Sequence, residues 1–238
     1  MCTVSWIHDK DGYELLCNRD EKLTRKSAQM PRLSVHNGTR FLAPVDGDFG
    51  GTWIATNEFA VSLCLLNGPN GRSIKATRSR GLLVLDLIPV SSIAAVAATV
   101  QAADLSVYAP FTLAALEPGE PATVIEWDGT RTKMHECAAS HFMLTSSSFD
   151  TEVVRKSRIE EYVRLSKGVV DAGILLGFHR SHVPARSAYS ACMHRADAET
   201  VSFSWIRVTR EETDFSYTPG APCEKLPGMR LKLAHYSS

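Results

Sequence analysis

MCTVSWIHDKDGYELLCNRDE (residues 1–21) reads as a chain that folds straight back on its own start. Residues 3–8 and 13–18 are strand-like, and Asp11-Gly12 within Asp9-Lys10-Asp11-Gly12 favours a tight hairpin turn between them. The hairpin returns Asn18-Arg19-Asp20-Glu21 to the neighbourhood of Cys2. If Met1 is removed, Cys2 carries a thiol and a free α-amine whose ordinary pKa is about 8. One residue then holds both nucleophile and base, and no separate histidine is required. The polar cluster supplies groups that can tune it: a carboxylate for the α-ammonium, and a guanidinium that would favour the thiolate. Plainer readings are a small residue at a strand start and a solvated four-residue turn, and composition does not decide between them.

Working outward, residues 19–39 are polar, contain Pro31 and Gly38, and read as a long loop or arm over one sheet face. Residues 49–55 and 59–66 are a second pair of apolar strands joined by Thr56-Asn57-Glu58, and they lead into the turn cluster Asn67-Gly68-Pro69-Asn70-Gly71-Arg72. Gly50-Gly51 ahead of Trp53 implies a tight turn or a close backbone approach, with Trp53 in the core. Ser79 is a candidate cap for a short helix through Leu87, and Ser91 or Ser92 for a helix over 93–103. Strands follow at 111–116, 122–127 and 142–145. Residues 151–167 form a helix with Val154, Ile159, Tyr162 and Val163 as its apolar positions and Gly168 at its end, and 169–178 a second, short one. Residues 188–194 and 200–208 read as a closing hairpin turning near Ala196-Asp197, and 213–217 as one more strand. Strands, helices, strands, helices, strands in this order argue for α+β with antiparallel sheets, not a βαβ repeat.

Composition narrows the functional classes. The 238-residue chain has 26 Lys plus Arg against 26 Asp plus Glu, so nothing electrostatic favours nucleic acid or an anionic membrane as partner. No apolar run is long enough to span a bilayer, and the first twenty residues lack a signal-peptide h-region. The expected setting is soluble and cytoplasmic. The six cysteines lack CxxC spacing and read as reduced thiols. His135, Cys137 and His141 cluster in sequence, but no second ligand pair follows them, so no metal is expected. There is also no Gly-x-Ser-x-Gly elbow and no histidine in a triad context.

The combination of "MC" at the start, "NRDE" at 18–21, "GDFGGTWIA" at 47–55 and "SRGLL" at 79–83 resembles the NRDE family, also called the Transport and Golgi organization family. More remotely, "MCTVSW" and "TNEFAVSLCLLNGPN" are similar to the choloylglycine-hydrolase-like amidases, members of the N-terminal nucleophile hydrolases. The resemblance implies an αββα sandwich of two mainly antiparallel sheets over a single domain, residues 1–238. It implies Cys2 as nucleophile, with Asn67 at the position of an oxyanion-hole asparagine, a role that can be worth about 3 kcal/mol. Asp20 would orient the amine and Arg19 lie near the thiol, although the amidases carry Arg-Asn-x-Asp there. Ser146 in "LTSSSFD" takes the place of a second catalytic asparagine, with different hydrogen-bonding geometry. The late catalytic arginine has no clear match, Arg186 in "PARSAYSA" being a candidate. The implied reaction is hydrolysis or acyl transfer at a nonpeptide C–N amide of a small molecule through a thioester, without cofactor. The competing reading is a carrier or chaperone for a hydrophobic ligand such as haem or a lipid.

Overall fold

A computed structural model describes residues 2–68, 76–224 and 228–236. Met1 and residues 69–72 of the expected turn cluster lie outside the described residues. The opening hairpin is β1 (Cys2–His8) and β2 (Tyr13–Lys22), paired antiparallel with Cys2 opposite Arg19 and His8 opposite Tyr13. Edge strand β3 (Gln29–His36) and β4 (Thr39–Val45) follow, then β5 (Ile54–Asn57) and β6 (Ser62–Asn67). Helices α1 (Arg80–Leu87) and α2 (Ile93–Ala102) lead to β7 (Phe111–Leu116), β8 (Ala122–Trp127), β9 (Thr132–Cys137) and β10 (His141–Thr145). After α3 (Thr151–Leu165) and α4 (Ala172–Arg180) the chain ends in β11 (Ala198–Val208), β12 (Glu212–Pro219) and β13 (Met229–Ala234).

The strands form two antiparallel sheets, one in the order β10-β1-β2-β11-β12-β13 and one running β3 through β9 in sequence order. Three separate cores make the layers. One, containing Val4, Trp6, Leu15, Ile54, Leu66 and Phe215, fills the space between the sheets. A second joins the outer face of the β3–β9 sheet to α1 and α2 through Leu83, Val84, Leu87 and Val96. The third joins Leu16, Met143 and Phe203 of the other sheet to Tyr162, Leu175 and Phe178 of α3 and α4. The result is the expected αββα sandwich.

Several local expectations give way. Residues 19–22 extend β2 and 29–36 form β3, so the stretch read as an arm is largely strand; an edge strand with one solvated face carries little apolar signal. Residues 49–53 are turn, because Gly50 adopts φ +69° and Ile54 is the first paired residue of β5. Residues 188–194 form no strand. They contribute one isolated bridge, His194 to Glu199, and β11 instead pairs with β2 and β12. Ser92 caps α2 by accepting the Ala95 N–H at 3.1 Å, whereas the Ser79 side chain makes no cap bond to α1.

Candidate active site

Cys2 begins a central strand, and 5% of its surface is exposed. Its backbone N–H donates to Ser146 Oγ at 3.2 Å, and the Ser146 N–H donates back to the Cys2 carbonyl at 2.9 Å. β10 thus carries Ser146 to the nitrogen that loss of Met1 would convert into an α-amine. A cleft of about 390 Å³ opens over Cys2 and is lined by Arg19, Trp53, Asn67 and Arg80 among others. Cys2, Arg19 and Asn67 of the sequence reading therefore share one cavity.

Arg19 faces Cys2 across the hairpin and is tightly held. Its guanidinium meets Asp46 Oδ2 at 2.7 Å and Glu21 Oε2 at 3.4 Å, and lies 4.4 Å over the Trp53 ring. Trp53 is in the core, as expected, but it is also a platform for that cation. The expected thiolate is not what this environment favours. The hydrogen bond with Cys17 and the burial push the Cys2 thiol well above the ordinary thiol value, and the nearby Asp20 carboxylate acts in the same direction. Cys17 in turn accepts from Cys64 Sγ at 3.7 Å, so a chain of thiols runs inward from Cys2.

Asp20 points to the other face of β2 and is fully buried. Its Oδ2 pairs with Arg158 Nη1 at 3.1 Å, and its Oδ1 accepts from Thr200 Oγ1 at 2.7 Å. Arg158 also donates to Thr3 Oγ1 at 2.6 Å, to Thr145 Oγ1 at 3.1 Å and to the Ala188 carbonyl at 3.2 Å. It locks β1, β10, α3 and the 188–194 segment around Asp20, beneath the residues that flank Cys2 and Ser146. The sequence reading missed Arg158, though the signal was present: it falls four residues after Val154 and four before Tyr162, on the buried face of α3. Arg186 is elsewhere. It is exposed, pairs with Glu224 at 2.6 Å, and is not among the lining residues of the cleft.

Arg80 was also missed, although it lies inside the "SRGLL" motif. It lines the cleft beside Cys2, donates to the Pro110 carbonyl at 2.7 Å, and among the described residues has no carboxylate within ion-pair distance. Burial lowers its pKa, partly countered by Cys2 and by the Glu21 carboxylate, which lines the same cleft. The glycines of "GGTWIA" and "SRGLL" explain each other. A Cβ on Gly51 would collide with the Gly81 backbone, and the Thr52 N–H donates to the Gly81 carbonyl at 3.1 Å, which sets Arg80 against the cleft wall.

On the far side of Asn67 lies a second, more apolar groove of about 380 Å³, with Phe142, Leu144, Ile159, Tyr162 and Val163 in its walls and Ser146 at its floor. Asn67 borders both cavities. Of the sequence-clustered candidates for a metal, His135 and Cys137 lie on β9, while His141 on β10 contacts Tyr162 Oη at 2.8 Å through Nδ1. Neither cavity holds a cluster of metal-ligand type among the described residues.

Two facing antiparallel sheets with helices outside, and a cysteine heading a central strand at the mouth of a cleft, define an N-terminal nucleophile hydrolase-like fold. Solved structures agree on that fold. The chain superposes on a Caenorhabditis elegans N-acylethanolamine-hydrolyzing acid amidase orthologue with TM-score 0.60 at 12% identity, covering 87% of this chain and 92% of that one. It superposes on penicillin V acylase from Agrobacterium tumefaciens with TM-score 0.52 at 10% identity (92% and 84% covered), and on the C2A mutant of conjugated bile acid hydrolase from Clostridium perfringens with TM-score 0.51 at 12% identity (100% and 97% covered). The family model described as Transport and Golgi organisation 2 matches residues 1–172, and the chain belongs to that family. No curated protein matches it in sequence.

Proposed function

We propose that this chain is an N-terminal cysteine hydrolase acting on a nonpeptide C–N amide of a small molecule. The observation that carries the reading is the Cys2 nitrogen held 3.2 Å from Ser146 Oγ at the edge of a cleft shared with Arg19, Asn67 and Arg80. With Met1 removed, the α-amine takes the thiol proton, the sulfur bonds to the amide carbon, and the carbonyl oxygen gains charge. Asn67 is the side-chain donor for that oxygen. The proton passes to the leaving amine as the C–N bond breaks, giving a Cys2 thioester; water then releases the acid and restores the thiol. Asp20, held by Arg158, is a positioning residue beneath this centre. Burial and Cys17 work against this route by raising the thiol, so the reaction depends on the adjoining α-amine to take the proton.

The two cavities support one class of substrate. Arg80 has no carboxylate within ion-pair distance among the described residues, with Glu21 acting on it only through space, and the groove beyond Asn67 is the more apolar of the two cavities, so the reading is an amide joining an anionic part to a hydrophobic part. The names of the structural neighbours (acid amidase, bile acid hydrolase, acylase) support amide chemistry. Intact-mass spectrometry of the folded protein should show loss of Met1 and, with a panel of such amides, an acyl adduct absent from Cys2→Ala. Retention of Met1 in the mature protein sinks the proposal.

One observation favours a second reading, the carrier: the groove has exposed apolar walls at Phe142, Ile159 and Val163. Its described lining offers an iron Met143 and Tyr162, the latter engaged by His141 Nδ1 at 2.8 Å, but neither histidine nor cysteine, which suits a lipid better than haem. Stoichiometric lipid binding unchanged in Cys2→Ala, with no turnover, would establish it.

A further inference from the structure

Away from the cleft, beyond the segment matched by the family model, four side chains converge that have no part in the proposed chemistry: His182, Cys192, His194 and Cys223. One ligand atom from each lies within 4.8 Å of all the others. His194 Nε2 is 3.6 Å from Cys192 Sγ and 3.5 Å from Cys223 Sγ. In a tetrahedral zinc site with Zn–S of about 2.3 Å and Zn–N of about 2.0–2.1 Å, the S···N edge is about 3.6 Å. Hydrogen bonding explains the arrangement less well. A neutral imidazole nitrogen offers either one N–H or one lone pair, so it satisfies at most one of two sulfurs, while His182 Nε2 is buried with no partner at all.

We propose that His182, Cys192, His194 and Cys223 bind one Zn²⁺ in a closed Cys₂His₂ site that is structural, not catalytic. Four protein ligands leave no open position for water or substrate. Binding releases the two thiol protons to solvent and forms two Zn–S and two Zn–N bonds, with no change of oxidation state. With Nε2 of His194 on the metal, its Nδ1 carries the proton, and the present 3.3 Å approach of Arg186 Nη2 to Nδ1 gives way; Arg186 keeps its Glu224 partner. The spacing explains why the sequence hid the site. Cys192-x-His194 is a tight pair, but His182 and Cys223 lie on either side at distances unlike those of a zinc finger.

The placement gives the ion a role. The segment it would clamp has little regular structure, yet the Ala188 carbonyl accepts from Arg158, the Ala191 carbonyl accepts from Asn18 Nδ2 at 2.8 Å, and the Met193 N–H donates to Thr200 Oγ1 at 2.9 Å. Thr200 in turn holds Asp20. Zinc at 182–223 therefore fixes the backbone that supports the Asp20–Arg158 pair.

The test uses the full chain, purified with reductant and without chelator. Elemental analysis should find one zinc per chain, falling about tenfold or more in Cys223→Ser, with Arg186→Ala unchanged. Apo protein titrated with Co²⁺ should develop the visible d–d bands of a tetrahedral site and sulfur-to-metal charge transfer, a readout that needs no variant. Chelation should raise hydrogen exchange across residues 181–194. Reduced, folded wild-type protein that takes up neither metal overturns the proposal, and so does a Cys192–Cys223 disulfide in protein isolated under these conditions.

Discussion

At the scale of single residues, Cys2 is governed by two opposed effects, and the larger one decides its chemistry. Arg19 lies across the hairpin, but its charge is already engaged by Asp46 and Glu21, while Cys17 and burial act directly on the thiol and raise it. The sulfur is therefore unreactive unless an amine adjoins it. Inserting a glutamate between Met1 and Cys2, which leaves a large second residue and prevents methionine removal, should slow iodoacetamide labelling of residue 2's thiol about tenfold or more at neutral pH relative to processed protein. Equal rates would remove the amine from the mechanism. Asp20 and Arg158 are the complementary case, a pair fully withdrawn from water. Arg158→Met should cost about 3–5 kcal/mol in urea unfolding because it removes the Arg158 counter-charge from a buried carboxylate, and adding Asp20→Asn should recover a large part of that loss. A double variant no better than the single one would mean the pair is not the unit that matters.

At the scale of elements, the contact between the turn before β5 and the start of α1 is set by two glycines with no room for a side chain. Gly51→Ala should push α1 away from the 51–53 turn, costing about 1–3 kcal/mol and weakening binding of anionic amides, since Arg80 moves with the helix. Arg80→Met should raise KM for those amides and leave Tm within a few degrees; a loss of stability with KM unchanged would make Arg80 structural. The elements legible in the sequence are those whose signal is local. β1 and β2 flank an Asp-Gly turn, and β6, β7 and β8 are almost wholly buried and read as apolar runs. β3, β9 and β13 were illegible because each lies at a sheet edge with most of its residues exposed or half-buried. The candidate site divides in the same way. Cys2 and Arg19 are brought together by one hairpin, and Asn67 ends a buried strand, so all three could be named from motifs. Arg158 meets Asp20 only through tertiary packing of α3. On the same helix Ile159 and Val163, two of its apolar positions, are exposed on the wall of the groove, because the buried stripe runs through Val154, Arg158 and Tyr162.

At the scale of the whole molecule, the contact between the α3–α4 layer and its sheet includes a buried histidine that must remain uncharged, and this makes the fold sensitive to acid. His179 on α4 is completely buried between the helices and the β1–β2 sheet; its Nε2 meets Ser5 Oγ at 2.9 Å and its carbonyl accepts from Asn18 Nδ2. Burial, assisted by the nearby Arg158 cation, lowers its pKa to about 3. The unfolded chain takes up a proton near the ordinary value of about 6.5, whereas the native state resists until about 3, so between those limits the unfolded state binds more protons. The contribution of His179 is therefore fully present above about pH 6.5 and is lost as pH falls towards 3, at up to about 1.4 kcal/mol per pH unit. His8 and His235, also lowered by burial, act with the same sign. Urea unfolding at pH 7.5 and pH 5.0 should show a clear loss of stability in the wild type at the lower pH. His179→Gln, which keeps an amide donor for Ser5 but cannot titrate, should start less stable at pH 7.5 and lose about 2 kcal/mol less between the two conditions. Parallel losses in the two proteins would show that the acid sensitivity resides elsewhere and that His179 takes up its proton without opening the layer between the α3–α4 helices and the sheet.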